Sequence, residues 1–441
     1  MQAFETFSEE QRKVIQASGA IQRVVAAAGS GKTRTVIGFV SNRLRERPGA
    51  RVLMLSFSRK AVAELRSRLP EQAKVEVSTF HSFCYRHLAR LDPRFRSKGP
   101  PGILQKARRV RFLCEELARL PEIGGIPYEL LIENRGLCEE LVPGLPALLD
   151  RRLARFKKSN GLVEFEDLIG RMVRGLAHGR PYLDRLRESY DLILVDEFQD
   201  TDPRQLEFLR LMRSPEMLVV GDDYQAIYGF RGATVEPFLK FPKHFPDTRT
   251  FQLRQNYRSL SPIVRAGLRV IRQSSKQIKK RVVAVRSEGD APPVFSLALG
   301  PNQESELARD LKKTNVTVLV RTNARRRHWV RSGFPSTSVL TIHSAKGLEF
   351  PVVILDLLDG WSQCVPMDQR RSRRFRPPDE EVRVLYVGTS RARDLLIVVH
   401  GAREQETVEG LYFERTLAGI CRPTSPGQLT RRLEPVFRDA A

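Results

Sequence analysis

Short apolar, β-branched runs recur along the chain, separated by longer stretches whose apolar positions return every three or four residues. The runs IQRVVAA (21–27), RVLMLSF (51–57), KVEVST (74–79), DLILVDE (191–197) and MLVVGD (217–222) predict strands. A second series follows: VTVLV (316–320), SVLTI (338–342), PVVILD (351–356) and DLLIVVH (394–400). Near-continuous apolarity within each run predicts parallel sheets covered on both faces. Two such series predict an α/β fold with two tandem domains, over residues 1–252 and 253–422. Between about residues 86 and 163 the strand signal stops. There ILQKARRVRFLCEELARL and ALLDRRLARFKKSNG read as basic amphipathic helices, a small helical insertion in the first domain. RFRSKGPPG (94–102) and MDQRRSRRFRPPDEE (367–381) read as loops. The Pro- and Ser-containing end from Cys421, residues 423–441 above all, reads as a poorly ordered tail.

Charge narrows the partners. Lys and Arg number 75 against 51 acidic residues, a net charge of +24. Such an excess favours a polyanion, nucleic acid before an anionic membrane surface. The five cysteines are scattered with no CxxC or Cys/His cluster, which supports neither a zinc site nor a disulfide framework and fits a reducing cytoplasm. MQAFETFSEEQRK lacks the apolar core of a signal peptide, and no run is long enough to span a bilayer.

The chemistry sits at strand ends. AAAGSGKTR (Ala26, Ala27, Ala28, Gly29, Ser30, Gly31, Lys32, Thr33, Arg34) follows one strand and opens a helix. Backbone N–H groups around Gly29, Ser30 and Gly31 can ring a phosphate, Lys32 can reach the β/γ-phosphates, and the Thr33 hydroxyl can sit on Mg²⁺. The strict GxxxxGK[ST] pattern wants Gly where Ala26 stands. In LILVDEFQD, Asp196 is placed to hold Mg²⁺ and Glu197 to deprotonate an attacking water. An acidic strand-end turn is the plainer reading of that motif, but the phosphate loop outweighs it. Ser8 and Gln11 in FSEEQ have capping-box spacing, so locally Gln11 reads as a helix cap. Phe57, at the end of an apolar run, reads by itself as core, and His81 could equally be a capping histidine.

The blocks FSEEQ, AAAGSGKT, LSFSRKAVAELRSRL, STFHSF, LILVDEFQDTD, VVGDDYQAIYGFRGA, QLRQNYRS, SVLTIHSAKGLEFPVVI and EEVRVLYVGTSRARDLLIV resemble, in order, those of superfamily 1 helicases of the UvrD/Rep/PcrA group. They span residues 7 to 398. The resemblance implies two tandem RecA-like P-loop domains and ATP and Mg²⁺ as cofactors. It implies that Gln11 reads adenine, Tyr257 stacks on it, Glu349 lies near the ribose and Gln225 senses the γ-phosphate. Arg258 and Arg391 would reach that phosphate from the second domain. For a DNA path it implies Phe57, Thr79, His81, Tyr228, Phe230, His343 and Lys346. Together these imply a 3′→5′ single-stranded DNA translocase and helicase acting on single strands and junctions, in repair or replication. The alternative from another class is a nucleic-acid-binding regulatory or scaffold protein with a residual ATPase fold.

Three departures qualify the resemblance. Phe230 stands where relatives usually carry tryptophan. Only 83 residues (260–342) separate QNYRS from the HSAKGLEF block, too few for the large mobile subdomain found there in relatives, with WVRSGFPSTSV (329–339) as its short replacement. DGWSQCVPMDQRRSRRFR replaces a Gly-aromatic-Pro segment. A compact motor that depends on a protein partner for strand separation is the expectation. Oligomeric state is left open.

Overall fold

A computed structural model describes residues 6–69, 74–92, 99–120, 127–287, 294–300, 303–311, 315–362, 377–401 and 407–429. The strands in chain order are β1 (Ile21–Ala26), β2 (Val52–Ser56), β3 (Val75–Thr79), β4 (Gly102–Ile103), β5 (Leu162–Val163), β6 (Leu192–Val195), β7 (Glu216–Gly221) and β8 (Arg249–Leu253). They continue with β9 (Gln255–Leu260), β10 (Val283–Arg286), β11 (Val294–Leu299), β12 (Val316–Val320), β13 (Val339–Thr341), β14 (Phe350–Leu357), β15 (Ala392–Gly401) and β16 (Arg422–Thr424).

Two six-stranded sheets result, ordered β3-β2-β6-β7-β1-β8 and β13-β12-β14-β15-β11-β16, and every pairing in them is parallel. The run pattern has its cause in the core. In β1, β2, β6 and β7, Val25, Leu53, Leu55, Ile193, Val195 and Val219 pack into one cluster, and Val24, Met54, Leu192, Leu194, Leu218 and Val220 into another. Successive side chains point to opposite faces, so a strand buried on both has no polar position to alternate with. The second sheet repeats this, Val353, Leu355 and Leu396 on one face and Val352, Ile354 and Ile397 on the other.

Between β4 and β5 lie the helices Lys106–Ala118, Tyr128–Glu133, Arg135–Leu141 and Leu145–Ser159, around a separate small core of Leu113, Leu117, Leu131, Leu149 and Leu153. The β4–β5 pair closes this unit at its base. Residue 86, where the insertion was expected to start, falls inside the helix Phe80–Leu91, whose Phe83 and Leu88 belong to the core of the first sheet.

One expectation is corrected. The tail does not begin at 423: β16 pairs with β11, and Leu429 is fully buried in the second sheet's core. WVRSGFPSTSV forms the end of the helix Asn323–Arg331 and the turn into β13, with Trp329 fully buried and its Nε1 donating to Asp356 Oδ2 at 2.7 Å. The loops expected at 94–102 and 367–381, and the DGWSQCVPMDQRRSRRFR segment, lie largely outside the described residues. No described helix is long and apolar enough to cross a membrane.

Candidate nucleotide cleft and aromatic groove

Because β1, β2, β6 and β7 are parallel, the turns that follow them emerge on one edge of the first sheet. After β1 the chain passes Gly29 (φ 65°) and Gly31 (φ 74°), both left-handed, and enters the helix Lys32–Glu46. A Cβ on Gly29 would stand 2.7 Å from Arg258 Cβ, and one on Gly31 2.8 Å from Gln11 Nε2. The glycines therefore let two other segments close on the loop. Ala26, Ala27 and Ala28 are buried beneath it.

From one side comes Gln11. It completes a capping box with Ser8, and its Nε2 also donates to the Ser30 carbonyl at 3.1 Å. Cap and loop contact coexist in one side chain. From the other side comes β9. The Tyr257 amide donates to the Gly29 carbonyl at 2.9 Å and Asn256 Nδ2 to the Ala28 carbonyl at 2.8 Å. Asn256 Oδ1 accepts the Arg258 and Ser259 amides, which fixes the turn that carries Arg258.

These segments enclose a cleft of about 590 Å³ that brings together Gln11, the loop from Gly29 to Arg34, Asp196, Glu197, Gln225, Tyr257, Arg258, Glu349 and Arg391. Glu197 takes a left-handed backbone (φ 54°), a conformation that costs a non-glycine residue about 1–3 kcal/mol and persists where its surroundings impose it. Its carboxylate lies 4.0 Å from Lys32 Nζ and accepts from the Gln199 side chain. Burial opposes its charge, yet Lys32 and Lys346 outweigh it and hold Glu197 below the usual carboxylate range. Burial, then the Glu197 charge, push the neighbouring Asp196 up to about 7. Asp196 Oδ1 and Ser30 Oγ are buried without a hydrogen-bond partner among the described residues. A partnerless carboxylate oxygen beside the phosphate loop, with the Thr33 hydroxyl lining the same cleft, fits a cation held jointly by protein and phosphate oxygens.

The second domain reaches into this cleft. Arg391, fully buried, donates through Nη2 to Gln225 Oε1 (2.7 Å), and through Nη1 and Nε to the carbonyls of Leu348 and Val387. No carboxylate pairs with it among the described residues. Burial and the nearby charge of Arg258 both press against its own charge. Arg258 Nε donates to Glu349 Oε2 at 2.7 Å. Tyr257 is 40% exposed at the rim.

A second groove, about 950 Å³, is lined by Phe57, Thr79, His81, Phe165 and Phe230. Tyr228 stacks on Phe57 at 4.9 Å, and Phe230 and His343 meet edge to face at 5.4 Å. Phe57 is thus not core: it lines both the groove and the cleft. Thr79 caps the helix Phe80–Leu91 by accepting from the Ser82 amide. Burial, then Arg321, lower His343 to about 4, and burial lowers His81. Lys346 departs from the set. Its ammonium faces the nucleotide cleft, donating to Asp200 and to the Gln225 carbonyl (2.8 Å) while lying 4.6 Å over the Tyr228 ring.

Sequence reasoning did not single out Asn256, Phe165 or Lys280. Asn256 lay unremarked in QNYRS, and Phe165 opens an amphipathic helix where an apolar residue reads as core. Lys280, in QIKKRVV, carried no local signal, yet its side chain is fully buried between Asp222 and Asp223.

Two parallel α/β sheets in tandem, a phosphate loop after β1 and arginines facing it from beyond the first sheet define a RecA-like P-loop pair. The family model for the UvrD/REP helicase N-terminal domain matches residues 7–118 and 146–246, and that for the UvrD-like helicase C-terminal domain residues 331–402. The chain belongs to the UvrD/PcrA-like superfamily 1 helicase family. Similar proteins include the ATP-dependent DNA helicase PcrA of Staphylococcus epidermidis, 26% identical over 372 residues, and that of Staphylococcus aureus, 27% identical over 370. Each alignment covers 75% of this chain and 50% of the relative, so the chain spans about half the length of the curated relatives it matches.

Proposed function

We propose that the chain is an ATP-dependent 3′→5′ translocase and helicase on single-stranded DNA and its junctions with duplex, working in the cytoplasm. The observation that carries this reading is the Arg391–Gln225 hydrogen bond, which ties the second domain to the γ-phosphate end of the first domain's cleft. Backbone N–H groups of the loop from Gly29 to Thr33 and the Lys32 ammonium bind the phosphates, with Gln11, Arg34 and Tyr257 around the base. Thr33 and Asp196 would hold Mg²⁺, which when bound neutralises charge on the phosphate oxygens. Glu197 accepts the proton of the attacking water. Arg258 and Arg391 stabilise the charge that spreads over the transferred phosphoryl group, a contribution of about 10³–10⁵ in rate. Glu349 near the ribose must exchange its present partner, Arg258, for the nucleotide.

Because both arginines come from outside the first sheet, hydrolysis depends on how the two domains meet. Gln225 on the cleft and Phe230 on the groove are five residues apart, so a shift at one is passed to the other within a single turn. Bases stacked on Phe57, Tyr228 and Phe230 would be held, then released, as the nucleotide changes. A protein partner supplies the help that processive strand separation needs.

Unwinding assays test this reading. A 3′-tailed duplex is separated with ATP turnover and a 5′-tailed one is not. Lys32→Ala abolishes turnover while single-strand binding remains. Equal action on both tails contradicts the polarity, and turnover indifferent to single-stranded DNA contradicts the motor.

A further inference from the structure

The turn after β7 carries two acidic residues, Asp222 and Asp223, both fully buried. They converge on one cation from beyond the helix Ser261–Ile271. Lys280 Nζ lies 2.5 Å from Asp222 Oδ1 and 2.7 Å from Asp223 Oδ1, and it donates to the carbonyl of Ala26, where β1 ends, at 3.1 Å. The ammonium also sits 3.7 Å from the centre of the Tyr224 ring. The flanking backbone docks on the same turn. The Ile278 amide donates to Asp223 Oδ2 at 2.6 Å, and the Tyr224 hydroxyl donates to the Ile278 carbonyl at 3.1 Å.

Asp222 does more than neutralise Lys280. Its other oxygen, Oδ2, accepts from Gln225 Nε2 at 2.6 Å, and Gln225 Oε1 in turn accepts from Arg391 Nη2 at 2.7 Å. Its backbone amide donates to Gln199 Oε1 at 2.9 Å, and the Gln199 amide nitrogen donates to Glu197. One carboxylate is therefore linked on one side to Arg391 and on the other to Glu197. The link fixes orientation as well as place. With Asp222 ionised and accepting, Gln225 must turn its Nε2 toward Asp222, which leaves Oε1 to receive Arg391. An ionised, fully buried Asp222 needs a fixed counter-charge, and Lys280 provides it.

We propose that Lys280 is a positioning residue for ATP hydrolysis, acting through the Asp222–Gln225–Arg391 chain to aim Arg391 at the γ-phosphate. The inference rests on the motor reading above. Lys280 touches neither nucleotide nor DNA in it. Its effect falls on turnover rather than on nucleotide affinity, since a misplacement of about 1 Å at a reacting centre costs on the order of 10²-fold in rate.

The test is a double-mutant cycle on the full chain. Steady-state ATP turnover with saturating oligo(dT) is measured for wild type, Lys280→Met, Gln225→Ala and the double variant, beside thermal melting and binding of a fluorescent ATP analogue. Lys280→Met is expected to lower kcat about 10²-fold with analogue affinity within about threefold of wild type. Combining it with Gln225→Ala is expected to add no further loss, because both act on one chain. Wild-type kcat in Lys280→Met, or losses that multiply in the double variant, overturns the inference. If Lys280→Met does not melt cooperatively, Asp222→Asn takes its place in the cycle under the same criteria, since an amide there reverses the Gln225 orientation without changing size. Absence of DNA-stimulated turnover in the wild-type chain sinks the motor reading and this inference together, whereas normal turnover in the variants sinks the inference alone.

Discussion

Phe230 is 66% exposed, the most exposed large apolar side chain among the described residues, yet it leans on Tyr228 and His343 rather than into a core. A ring left open at the mouth of a groove is placed to stack on a base, a contact worth about 1–3 kcal/mol. Phe230→Ala should weaken oligo(dT) binding by about that amount in fluorescence anisotropy, and Phe230→Trp should tighten it by offering the larger face. Unchanged affinity in Phe230→Ala would remove the ring from the DNA path. His343 makes a second prediction. Burial and Arg321 hold it near 4, so it is neutral through pH 6–8 and gains its proton only far below the ordinary histidine value of about 6.5. At constant ionic strength, the change in oligo(dT) affinity from pH 8 to pH 6 should therefore be the same in wild type and His343→Gln. A rise present in wild type and lost in His343→Gln would mean that this imidazole is charged against phosphate. What was legible at this scale depended on company. Phe57 and Gln11 each read locally as structural, and only the set of blocks gave them further roles, whereas Lys280 and Asp200 meet across more than fifty residues of sequence with the groups they serve.

Each strand expected from the sequence is found, usually to within one or two residues, because burial on both faces writes an unbroken apolar run. Of those missed, β11 is buried like the expected strands and lies between β15 and β16, whereas β8, β9 and β10 have other surroundings. β8 is an edge strand whose side chains are mostly exposed, and β9 and β10 form a small separate pair with half-exposed side chains. Edge positions leave little apolar signature for periodicity to read. Trp329, in WVRSGFPSTSV, is a core residue with its polar edge satisfied. There Asp356, fully buried, accepts from Arg325 Nε and Trp329 Nε1, and burial still pushes its carboxyl up. Trp329→Phe keeps the apolar bulk but strands part of that carboxylate. It should cost about 1–3 kcal/mol in urea unfolding. A smaller loss would mean that the indole N–H matters little to the second domain.

At the level of the whole chain, charge predicts a polyanionic partner and two series of strands predict the fold, but neither predicts how the domains touch. Contact is made by the turn after β7, where Tyr224 packs edge to face on Tyr386 and Ile227 joins the core of the second sheet. With a net charge of +24, binding to single-stranded DNA should be driven by counterion release. A plot of log affinity against log salt should fall steeply, by about 0.7 per phosphate neutralised on a single strand. A flat response would leave the basic surface without its ligand.

Under the proposed function, ATP hydrolysis requires Arg391 seated against Gln225 in the first domain's cleft and responds to bound DNA. Steady-state ATP turnover with and without oligo(dT), in wild type and Arg391→Ala, tests it most directly. Strong stimulation by oligo(dT) is expected in wild type, with a loss of about 10³-fold or more in Arg391→Ala while a fluorescent ATP analogue still binds. Stimulated turnover that survives in Arg391→Ala would contradict it.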